Sequence, residues 1–327
     1  MNATVIVLSW NGAADLPGCL DAVLAQQGAE ADTLVVDNGS TDGSVELVRE
    51  RFPAARLVEN GRNLGFSAGM NVGMRLLRAA PEPPDVVVLL NQDTVVAPDW
   101  LCNILAPFEQ DQRIGAVGCK IYYPDGRTLQ HAGAWLEPGR AIPRHYGYGE
   151  LDVGQYDQPR DFEWVTGAAL ALRMSALDEV GLFDEGYSPG YFEDIDLCWR
   201  LRRADYRVHY APAATLRHAE SRSTSDPLWL LALANRNRLR FVFKTFPSER
   251  IWGEFVVAEC ARLALLANGI ESRFLSRAYL EGILRRSEWV TARARYFPVS
   301  PEHAERLVRL CVDLRRDLVA FVRERGL

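Results

Sequence analysis

The chain has 327 residues, of which 48% are hydrophobic and 24% are charged, ordinary values for a globular protein with material for one large domain or two. It has no run of the ~18 to 20 apolar residues that a membrane span requires, and its start lacks the basic flank and cleavage site of a secretory signal, so we expect retention in the cytoplasm. The six cysteines are scattered without a C-x-x-C pair, which predicts free thiols.

The net charge of −6 conceals an asymmetry. Residues 217–327 carry 20 basic and 13 acidic side chains, a charge of +7, whereas residues 1–216 carry 17 basic and 30 acidic ones, a charge of −13. A basic C-terminal part can meet an anionic surface such as lipid headgroups or a pyrophosphate. A set of solvated helix faces explains the same charges, and composition leaves both interpretations open.

The first hundred residues alternate between apolar runs and segments with helical spacing. The apolar runs predict four strands, at residues 4–9, 33–37, 55–58 and 86–90. Helical spacing predicts three intervening helices, at residues 14–26, after residue 41, and up to about residue 80. This order predicts a parallel, doubly wound α/β sheet.

The pattern changes after residue 114. Strands are predicted at residues 116–123, 162–166, 168–173 and 207–211, the last leading to 215–218, and residues 127–160 are expected to be irregular. Helices are predicted at residues 175–180, 191–203, 227–246, 251–266 and 301–325. The sequence therefore predicts an α/β domain over residues 1–220 and a helical C-terminal extension over residues 221–327.

Polar residues follow three of the first four predicted strands. Ser9 and Asn11 end the first, Asp37 and Asn38 the second, and the fourth ends in the sequence Asn-Gln-Asp at residues 91–93. Because neighbouring parallel strands end at one edge of the sheet, these groups should meet in one crevice, where open α/β sheets bind ligands. A carboxylate there can hold a divalent cation against phosphate oxygens, although the same residue types also suit ordinary turns and helix caps.

Several enzyme classes lack their sequence signature. The chain has neither a G-x-x-x-x-G-K-[ST] phosphate loop nor a G-x-G-x-x-G after its first strand, which argues against P-loop enzymes and nicotinamide or flavin enzymes. Residues 65–69 match the G-x-S-x-G spacing of serine hydrolases, but a loop precedes them where that motif requires a strand. The glycines there more naturally allow close approach of a helix start to a ligand or to another backbone.

Two further sets of side chains could have either a chemical or a purely structural role. Glu193, Asp194 and Asp196 crowd the first turn of a predicted helix, where carboxylates favour the helix dipole. Adjacent acids in a partly apolar site can also reach pKa values suited to proton abstraction. His218 follows a strand at its polar end, and both packing and metal ligation remain open for it.

Five segments, taken in order, resemble the inverting family-2 glycosyltransferases with the GT-A fold, especially their rhamnosyltransferase-like branch. They are VIVLSWN at residues 5–11, VVDNGSTD at 35–42, NLGFSAGMN at 63–71, LLNQDT at 89–94 and FEDIDLCWR at 192–200. The resemblance covers about residues 3–245, and it implies a GT-A-type, Rossmann-like, mostly parallel central sheet flanked by helices. Roughly the last eighty residues resemble no family that we recognise.

The resemblance implies roles for matching positions. Asp37 would bind the nucleobase edge, and further donor contacts are implied at Ser9, Asn11, Asn38, Asn63, Gly65, Asn71, Asn91, Gln92, Thr166 and Gly167. Asp93 would coordinate Mg²⁺ or Mn²⁺ on the donor pyrophosphate at the family's D-x-D position, with His218 completing the metal's shell. Asp194, paired with Glu193, would be the general base. Asn91 departs from the family pattern, because it replaces the first acid of D-x-D.

We therefore predict a metal-dependent, inverting sugar transfer from a nucleoside diphosphate donor, by resemblance deoxythymidine diphosphate (dTDP) rhamnose. A UDP-sugar, including the galactofuranose donor, is the alternative. The expected acceptor is a cell-envelope glycan or a lipid-linked saccharide in polysaccharide biosynthesis, reached at the inner face of the membrane through the basic C-terminal helices. A homodimer is also considered, and no nucleic-acid partner is expected. Two competing classes are a nucleotidyltransferase, which would need a Gly-rich basic loop after the first strand, and a non-catalytic sugar-nucleotide binding module.

Overall fold

The computed structural model describes residues 1–220, 227–265, 271–297, 299 and 301–324. The chain divides into two compact units. The first comprises Met1–Trp135 and Arg144–Ser221, and the second comprises Leu136–Pro143 and Arg222–Leu327. The short excursion of residues 136–143 into the second unit has no counterpart in the sequence pattern, and the predicted domain division at residue 220 stays a prediction.

The first unit is a mixed α/β structure. Its strands are β1 Ala3–Ser9, β2 Asp32–Asp37, β3 Arg56–Glu59, β4 Val86–Asn91, β5 Thr94–Val96, β6 Ile114–Tyr122, β7 Leu129–His131, β10 Arg160–Asp161, β11 Ala169–Arg173 and β12 Arg207–His218. Two further strands, β8 Ala134–Leu136 and β9 Pro143–His145, each include one residue of the second unit. Its helices are α1 Leu16–Leu24, α2 Ser44–Arg51, α3 Phe66–Arg78, α4 Trp100–Gln110, α5 Met174–Val180 and α6 Glu193–Arg203, with a 3-10 turn at Glu185–Tyr187.

The central sheet has the strand order β10-β12-β6-β11-β4-β1-β2-β3, with β5 paired to β12 and β7 paired to β6. The strands β1 to β4 pair in parallel, which confirms the predicted doubly wound half. Strand β11 lies antiparallel between β4 and β6, so the sheet is mixed. The central strands are buried, with Val5, Val7, Val86 and Val88 fully inaccessible, which explains their continuous apolar sequence.

Two expectations about the middle of the chain were wrong, and one strand was missed. The predicted strand at residues 162–166 does not form; Trp164 makes only an isolated bridge to Ala134. The region 127–160, expected to be irregular, contributes four short strands, β7 to β10. Strand β5 was not predicted, because three residues directly after a polar turn carry no periodic pattern.

The second unit is helical. Its helices are α7 Pro227–Thr245, α8 Ser248–Arg250, α9 Val256–Leu265, α10 Glu271–Leu284, α11 Arg286–Ala294 and α12 Pro301–Glu324, with a π-helix at Ile251–Phe255. The predicted ends at residues 266 and 325 lie outside the described residues. A buried ion pair between Arg238 and Glu259 lies in its interior, and Tyr279 donates to the same carboxylate at 2.7 Å. In the described part of the chain, no helix is long and apolar enough to span a membrane.

The strand register positions the predicted site. Ser9 lies beside Asp37 across β1 and β2, and Leu8 lies beside Asn91 across β1 and β4. The ends of these three strands therefore share one edge of the sheet. Strand β12 runs antiparallel to β5, so that His218 faces Thr94 in the pairing. This pairing brings the end of β12 to the same edge.

Candidate active site

The loop after β2 is organised by its own aspartate. Asp37 is 3% exposed, and its carboxylate accepts hydrogen bonds from the backbone N–H groups of Gly39 and Ser40, at 2.9 and 3.0 Å, and from the Ser40 hydroxyl at 2.5 Å. These bonds fix the turn at the edge of the sheet. A contact between Asp37 and a nucleobase stays a prediction.

Asn38 holds the loop that precedes α3. Its amide Nδ2 donates to the carbonyl of Gly65 at 3.0 Å, and its Oδ1 accepts from Asn60 Nδ2 at 2.9 Å. The neighbouring Asn63 accepts from the backbone N–H of Gly65 at 2.8 Å. Asn38 and Asn63 thus fix the loop before α3 beside the end of β2, and their nucleotide contacts stay predictions.

The end of β1 contains a strained residue and a buried hydroxyl. Asn11 adopts a left-handed conformation with φ 47°, and its Oδ1 accepts from the backbone N–H of Thr41 at 2.9 Å. Ser9 is 1% exposed, and its hydroxyl has no hydrogen-bond partner among the described residues. Left-handed backbone is costly outside glycine, and it clusters at functional sites.

Gln92 links two strand ends. Its Oε1 accepts from the backbone N–H of Trp10 at 2.9 Å, and its Nε2 donates to the Trp10 carbonyl at 3.2 Å. Gly12 leaves room for this amide, because a Cβ there would lie 2.1 Å from Gln92 Oε1 and the Gln92 side chain would have to move. Gln92 therefore links the chain after β4 to the chain after β1 through both groups of its amide.

Asp93 and His218 meet at the edge of the sheet. His218 Nε2 lies 3.2 Å from Asp93 Oδ1, and both side chains are almost completely buried. On the other side of the ring, His218 Nδ1 lies 2.7 Å from Gln130 Oε1. The backbone joins the two elements as well, since Ala219 N–H donates to the Asp93 carbonyl at 3.0 Å. The structure thus brings together the two residues predicted as metal ligands.

The chemistry of this pair fits a divalent cation whose coordination shell is completed by the substrate. A carboxylate oxygen and an imidazole nitrogen lie on one side, and the described residues contain no group of three or more His, Cys, Asp or Glu side chains that could hold a metal alone. Magnesium and manganese accept such open sites, where waters and phosphate oxygens fill the remaining positions. The residues present therefore fit a metal shared with a diphosphate.

The two predicted catalytic acids begin α6. Asp194 Oδ2 accepts a hydrogen bond of 2.9 Å from the backbone N–H of Gly167, and Oδ1 accepts from the backbone N–H of Ile195 at 2.8 Å. Burial raises the pKa of Asp194 above the usual aspartate range, although both backbone bonds oppose the shift. An aspartate with a raised pKa is a stronger base than an ordinary one.

Glu193 is more deeply buried than its neighbour. It is 6% exposed, and its Oε2 has no hydrogen-bond partner among the described residues. Burial first, and then repulsion from Asp194, raises the pKa of Glu193 well above its usual range. The two carboxyls titrate as a pair, and the more buried one favours the neutral form.

The entry to α6 is held by residues whose role was not predicted. Asp196 is completely buried and accepts from Arg200 Nε at 2.9 Å and from Tyr187 OH at 3.0 Å. The Arg200 guanidinium also donates to three consecutive carbonyls, those of residues 180–182. Phe192 precedes the helix with φ 76°. This network fixes the strained turn that presents Asp194, and it was invisible in the sequence because its carbonyl partners carry no side-chain signature.

Asn71 binds the segment that precedes α6, at residues 183–185. Its Nδ2 donates to the Phe183 carbonyl at 3.0 Å and to Glu185 Oε1 at 2.9 Å, and its Oδ1 accepts from the Phe183 N–H at 3.1 Å. Gly65 contacts the following stretch closely, since a Cβ there would lie 2.8 Å from Pro189 Cα. A place of Asn71 near the diphosphate stays a prediction, whereas its amide holds the segment that leads to α6.

Residues 166–168 connect the end of β4 with the start of α6. Thr166 Oγ1 accepts from the backbone N–H of Ala168 at 3.3 Å, and the Ala168 carbonyl accepts from Asn91 N–H at 3.0 Å. Gly167 lies between them and bonds to Asp194. The end of β4, which leads to Asp93, and the start of α6 therefore border one stretch of chain, residues 166–168.

The Asp93–His218 pair lies at one edge of this sheet, and the Asp194 carboxyl lies at the start of α6. The chain belongs to glycosyltransferase-like family 2, whose model matches residues 2–243.

Two relatives illustrate its position. An N-acetylglucosaminyl-diphospho-decaprenol L-rhamnosyltransferase of Mycobacterium tuberculosis is 32% identical over 230 residues, which are 64% of this chain and 73% of that protein. A protein of Sinorhizobium fredii is 34% identical over 204 residues, which are 59% of this chain and only 21% of that much longer protein.

Two solved structures share the fold at low sequence identity. GalNAc-T7 with UDP, GalNAc and Mn²⁺ has a TM-score of 0.60 at 14% identity and covers 79% of this chain and 51% of its own. The TarS 1–349 fragment of S. aureus in complex with UDP-GlcNAc has a TM-score of 0.60 at 14% identity and covers 99% of this chain and 92% of its own. These likenesses confirm the predicted GT-A-type fold.

Proposed function

We propose that this protein transfers a sugar from a nucleoside diphosphate donor to an acceptor hydroxyl with inversion, and that Asp194 is the general base. The observation that carries the proposal is the geometry of Asp194, whose Oδ2 is held by the Gly167 N–H at 2.9 Å while burial raises its pKa. Inverting transfer is a single displacement at the anomeric carbon, so one base and no protein nucleophile suffice. General base catalysis of this kind contributes about 10² to 10⁴-fold to the rate.

Asp194 acts on the acceptor. Its carboxylate takes the proton from the attacking hydroxyl as the oxygen bonds to the anomeric carbon, and the bond from that carbon to the diphosphate breaks. The N–H of Gly167 holds the carboxylate in place, so the geometry does not depend on a mobile side chain. Glu193, buried behind it and favouring the neutral form, adds little repulsion to the charged Asp194.

Asp93 and His218 are the residues that would hold Mg²⁺ or Mn²⁺ together with the donor diphosphate. When bound, the cation neutralises the charge that develops on the departing diphosphate. Asn91, in place of a first acid, supplies an amide where the family pattern has a carboxylate. The carboxylate of Asp93 and the imidazole of His218 would therefore supply the protein's share of the coordination.

For the donor we favour dTDP-rhamnose, which rests on the resemblance and on the named activity of the mycobacterial relative. A UDP-sugar is the alternative, since two fold neighbours are complexes with UDP or UDP-GlcNAc. The proposed acceptor is a cell-envelope glycan or a lipid-linked saccharide. Its route to the site at the inner membrane face would use the basic helices of residues 227–324, and a homodimer is compatible with this arrangement.

The test is the Asp194→Asn variant, assayed for donor binding and for transfer. Asparagine keeps an oxygen for the Gly167 N–H but accepts no proton, so donor binding should persist while transfer falls at least ~10²-fold. Asp178→Asn, which changes an exposed aspartate paired with Arg78, is the matched control. Transfer close to that of the unaltered chain in Asp194→Asn would refute the base assignment. A panel of dTDP-, UDP- and GDP-sugars with Mn²⁺, compared by thermal shift, identifies the donor.

A further inference from the structure

Gln130 contacts the predicted metal ligand His218 from behind. Its Oε1 lies 2.7 Å from His218 Nδ1, and both residues are buried, at 6% and 8% exposure. The opposite ring nitrogen, Nε2, lies 3.2 Å from Asp93 Oδ1. The imidazole therefore lies between an amide oxygen and a carboxylate oxygen.

Both partners of the ring accept hydrogen bonds, whereas a neutral imidazole donates only one. The contact of Nδ1 with Gln130 Oε1 is the shorter one, at 2.7 Å against 3.2 Å for Nε2 with Asp93 Oδ1, so the geometry favours donation from Nδ1. A neutral imidazole has one N–H group, and Nε2 is then left with a lone pair that faces the Asp93 oxygen. Two acceptor atoms 3.2 Å apart can both be ligands of one divalent cation. With the proton on Nε2 instead, the ring would donate to Asp93 and would present no lone pair there.

We propose that Gln130 is a positioning residue that fixes the His218 tautomer, so that the Nε2 lone pair and Asp93 together face a divalent cation. This inference rests on the metal-dependent transfer proposed above. Metal-bound histidines commonly donate their other ring N–H to an oxygen of the protein, and loss of that partner weakens metal affinity. Gln130 supplies that oxygen from a different strand of the sheet.

The strand that carries Gln130 is fixed on both sides. His131 pairs with Ile121 of β6, and its Nδ1 lies 2.7 Å from His145 Nδ1. Leu129 N–H donates to the Glu150 carbonyl at 2.8 Å. Because its neighbours are held in this way, Gln130 keeps its place beside His218. Nothing in the sequence marks this glutamine, since it lies in a stretch without periodic pattern.

The first test measures Mn²⁺ binding to the full chain without acceptor, from the electron paramagnetic resonance of free Mn²⁺, in the presence of dTDP or UDP. Gln130→Met removes the acceptor oxygen at similar side-chain length, whereas Gln130→Glu keeps an oxygen that accepts from Nδ1. We expect Gln130→Met to weaken Mn²⁺ binding about 10 to 100-fold and Gln130→Glu to stay within about threefold of the unaltered chain. His218→Ala gives the reference for loss of the ligand itself.

A second measurement needs no variant at position 130. The ¹⁵N shifts of the His218 ring in the unaltered protein report its tautomer, and the inference requires the proton on Nδ1. A proton on Nε2, as a reversed Gln130 amide would give, overturns it. Equal Mn²⁺ affinity of Gln130→Met and the unaltered chain, or equal loss in Gln130→Met and Gln130→Glu, overturns it as well. If the unaltered chain binds no Mn²⁺, the metal part of the proposed function fails together with this inference, whereas the other outcomes leave that function intact.

Discussion

The carboxylate of Asp194 accepts a 2.9 Å hydrogen bond from the backbone N–H of Gly167. Two effects of opposite sign act on that carboxylate. Burial disfavours its charge, whereas the N–H groups of Gly167 and Ile195 favour it, and burial dominates. The result is a carboxyl group with fixed position and raised basicity, which is the combination that a general base requires.

The first prediction concerns the pH dependence of transfer. A base works in its deprotonated form, so kcat should fall as pH is lowered through the raised pKa of Asp194. The acid limb of the profile should therefore lie above the range of an ordinary aspartate. Steady-state kcat measured across pH at saturating donor and acceptor gives this limb. A profile that stays flat down to about pH 4, the ordinary aspartate pKa, would exclude Asp194 as the titrating base.

A second prediction concerns Glu193 and stability. The pKa of Glu193 is raised in the folded protein, so its favourable contribution is present below the unfolded pKa and is lost as pH rises through the folded pKa. Glu193→Gln removes this loss of stability at high pH, because glutamine does not ionise. We expect the free energy of unfolding of the variant, relative to the unaltered chain, to increase from acidic to alkaline pH.

Urea unfolding at several pH values measures this difference. Glu50→Gln, at an exposed site on α2, controls for the loss of one negative charge. If the Glu193→Gln difference is independent of pH or has the opposite slope, burial does not raise the pKa of this carboxyl.

The third prediction separates a buried amide from a surface ion pair on one helix. Asn71→Ala removes three hydrogen bonds to Phe183 and Glu185 and leaves the buried backbone groups of Phe183 unpaired, which should cost about 1–3 kcal/mol of unfolding free energy. Arg75→Ala removes only an exposed pair with Glu185 and should cost at most about 1 kcal/mol.

Asn71→Ala should also slow transfer, because the segment that it holds leads to Asp194, whereas Arg75→Ala should leave transfer unchanged. Urea unfolding and kcat are measured on both variants. Equal effects of the two substitutions on stability and on rate would show that the buried amide has no special role.

The fourth prediction compares two glycines of one loop. Gly39 and Gly43 both have positive φ, at 77° and 89°, so alanine is strained at either position. A Cβ at Gly39 would lie 2.5 Å from Arg62 Cα, whereas a Cβ at Gly43 meets nothing within 4 Å. Gly43→Ala should cost about 1 kcal/mol for the backbone conformation alone. Gly39→Ala should cost at least about 2 kcal/mol, because the loop before α3 must also move.

Unfolding free energies of the two variants test this comparison, and thermal shift with the donor adds a functional readout. Displacement of the loop before α3 should weaken donor binding only in Gly39→Ala. Equal destabilisation by the two alanines would mean that the loops after β2 and before α3 do not pack as tightly as their backbone contact indicates.

Much of the fold could be predicted from local patterns. Continuous apolar runs such as residues 86–90 identify central strands, because a strand covered on both faces has no polar side. Alternation with helical segments then predicts their parallel pairing, which the register of β1 to β4 confirms. The position of the strand ends at one edge of the sheet could be predicted as well, since neighbouring parallel strands end together. The middle of the chain was harder, because strands of two or three residues are defined by their partners and not by periodicity.

The sequence by itself determined where the candidate residues stand along the chain: Asp93 after a buried strand, and Asp194 in an acidic helix start. Only the tertiary structure decided what each polar group does. The pairing of β12 with the unpredicted β5 brings His218 to Asp93, and β7 brings Gln130 behind it. Asn71 and Gln92 are tied to backbone groups from other elements. The physical reason is that hydrogen bonds to backbone N–H and C=O groups leave no mark in the partner's sequence, so a buried amide that builds the site and one that binds a ligand look the same until the chain is folded.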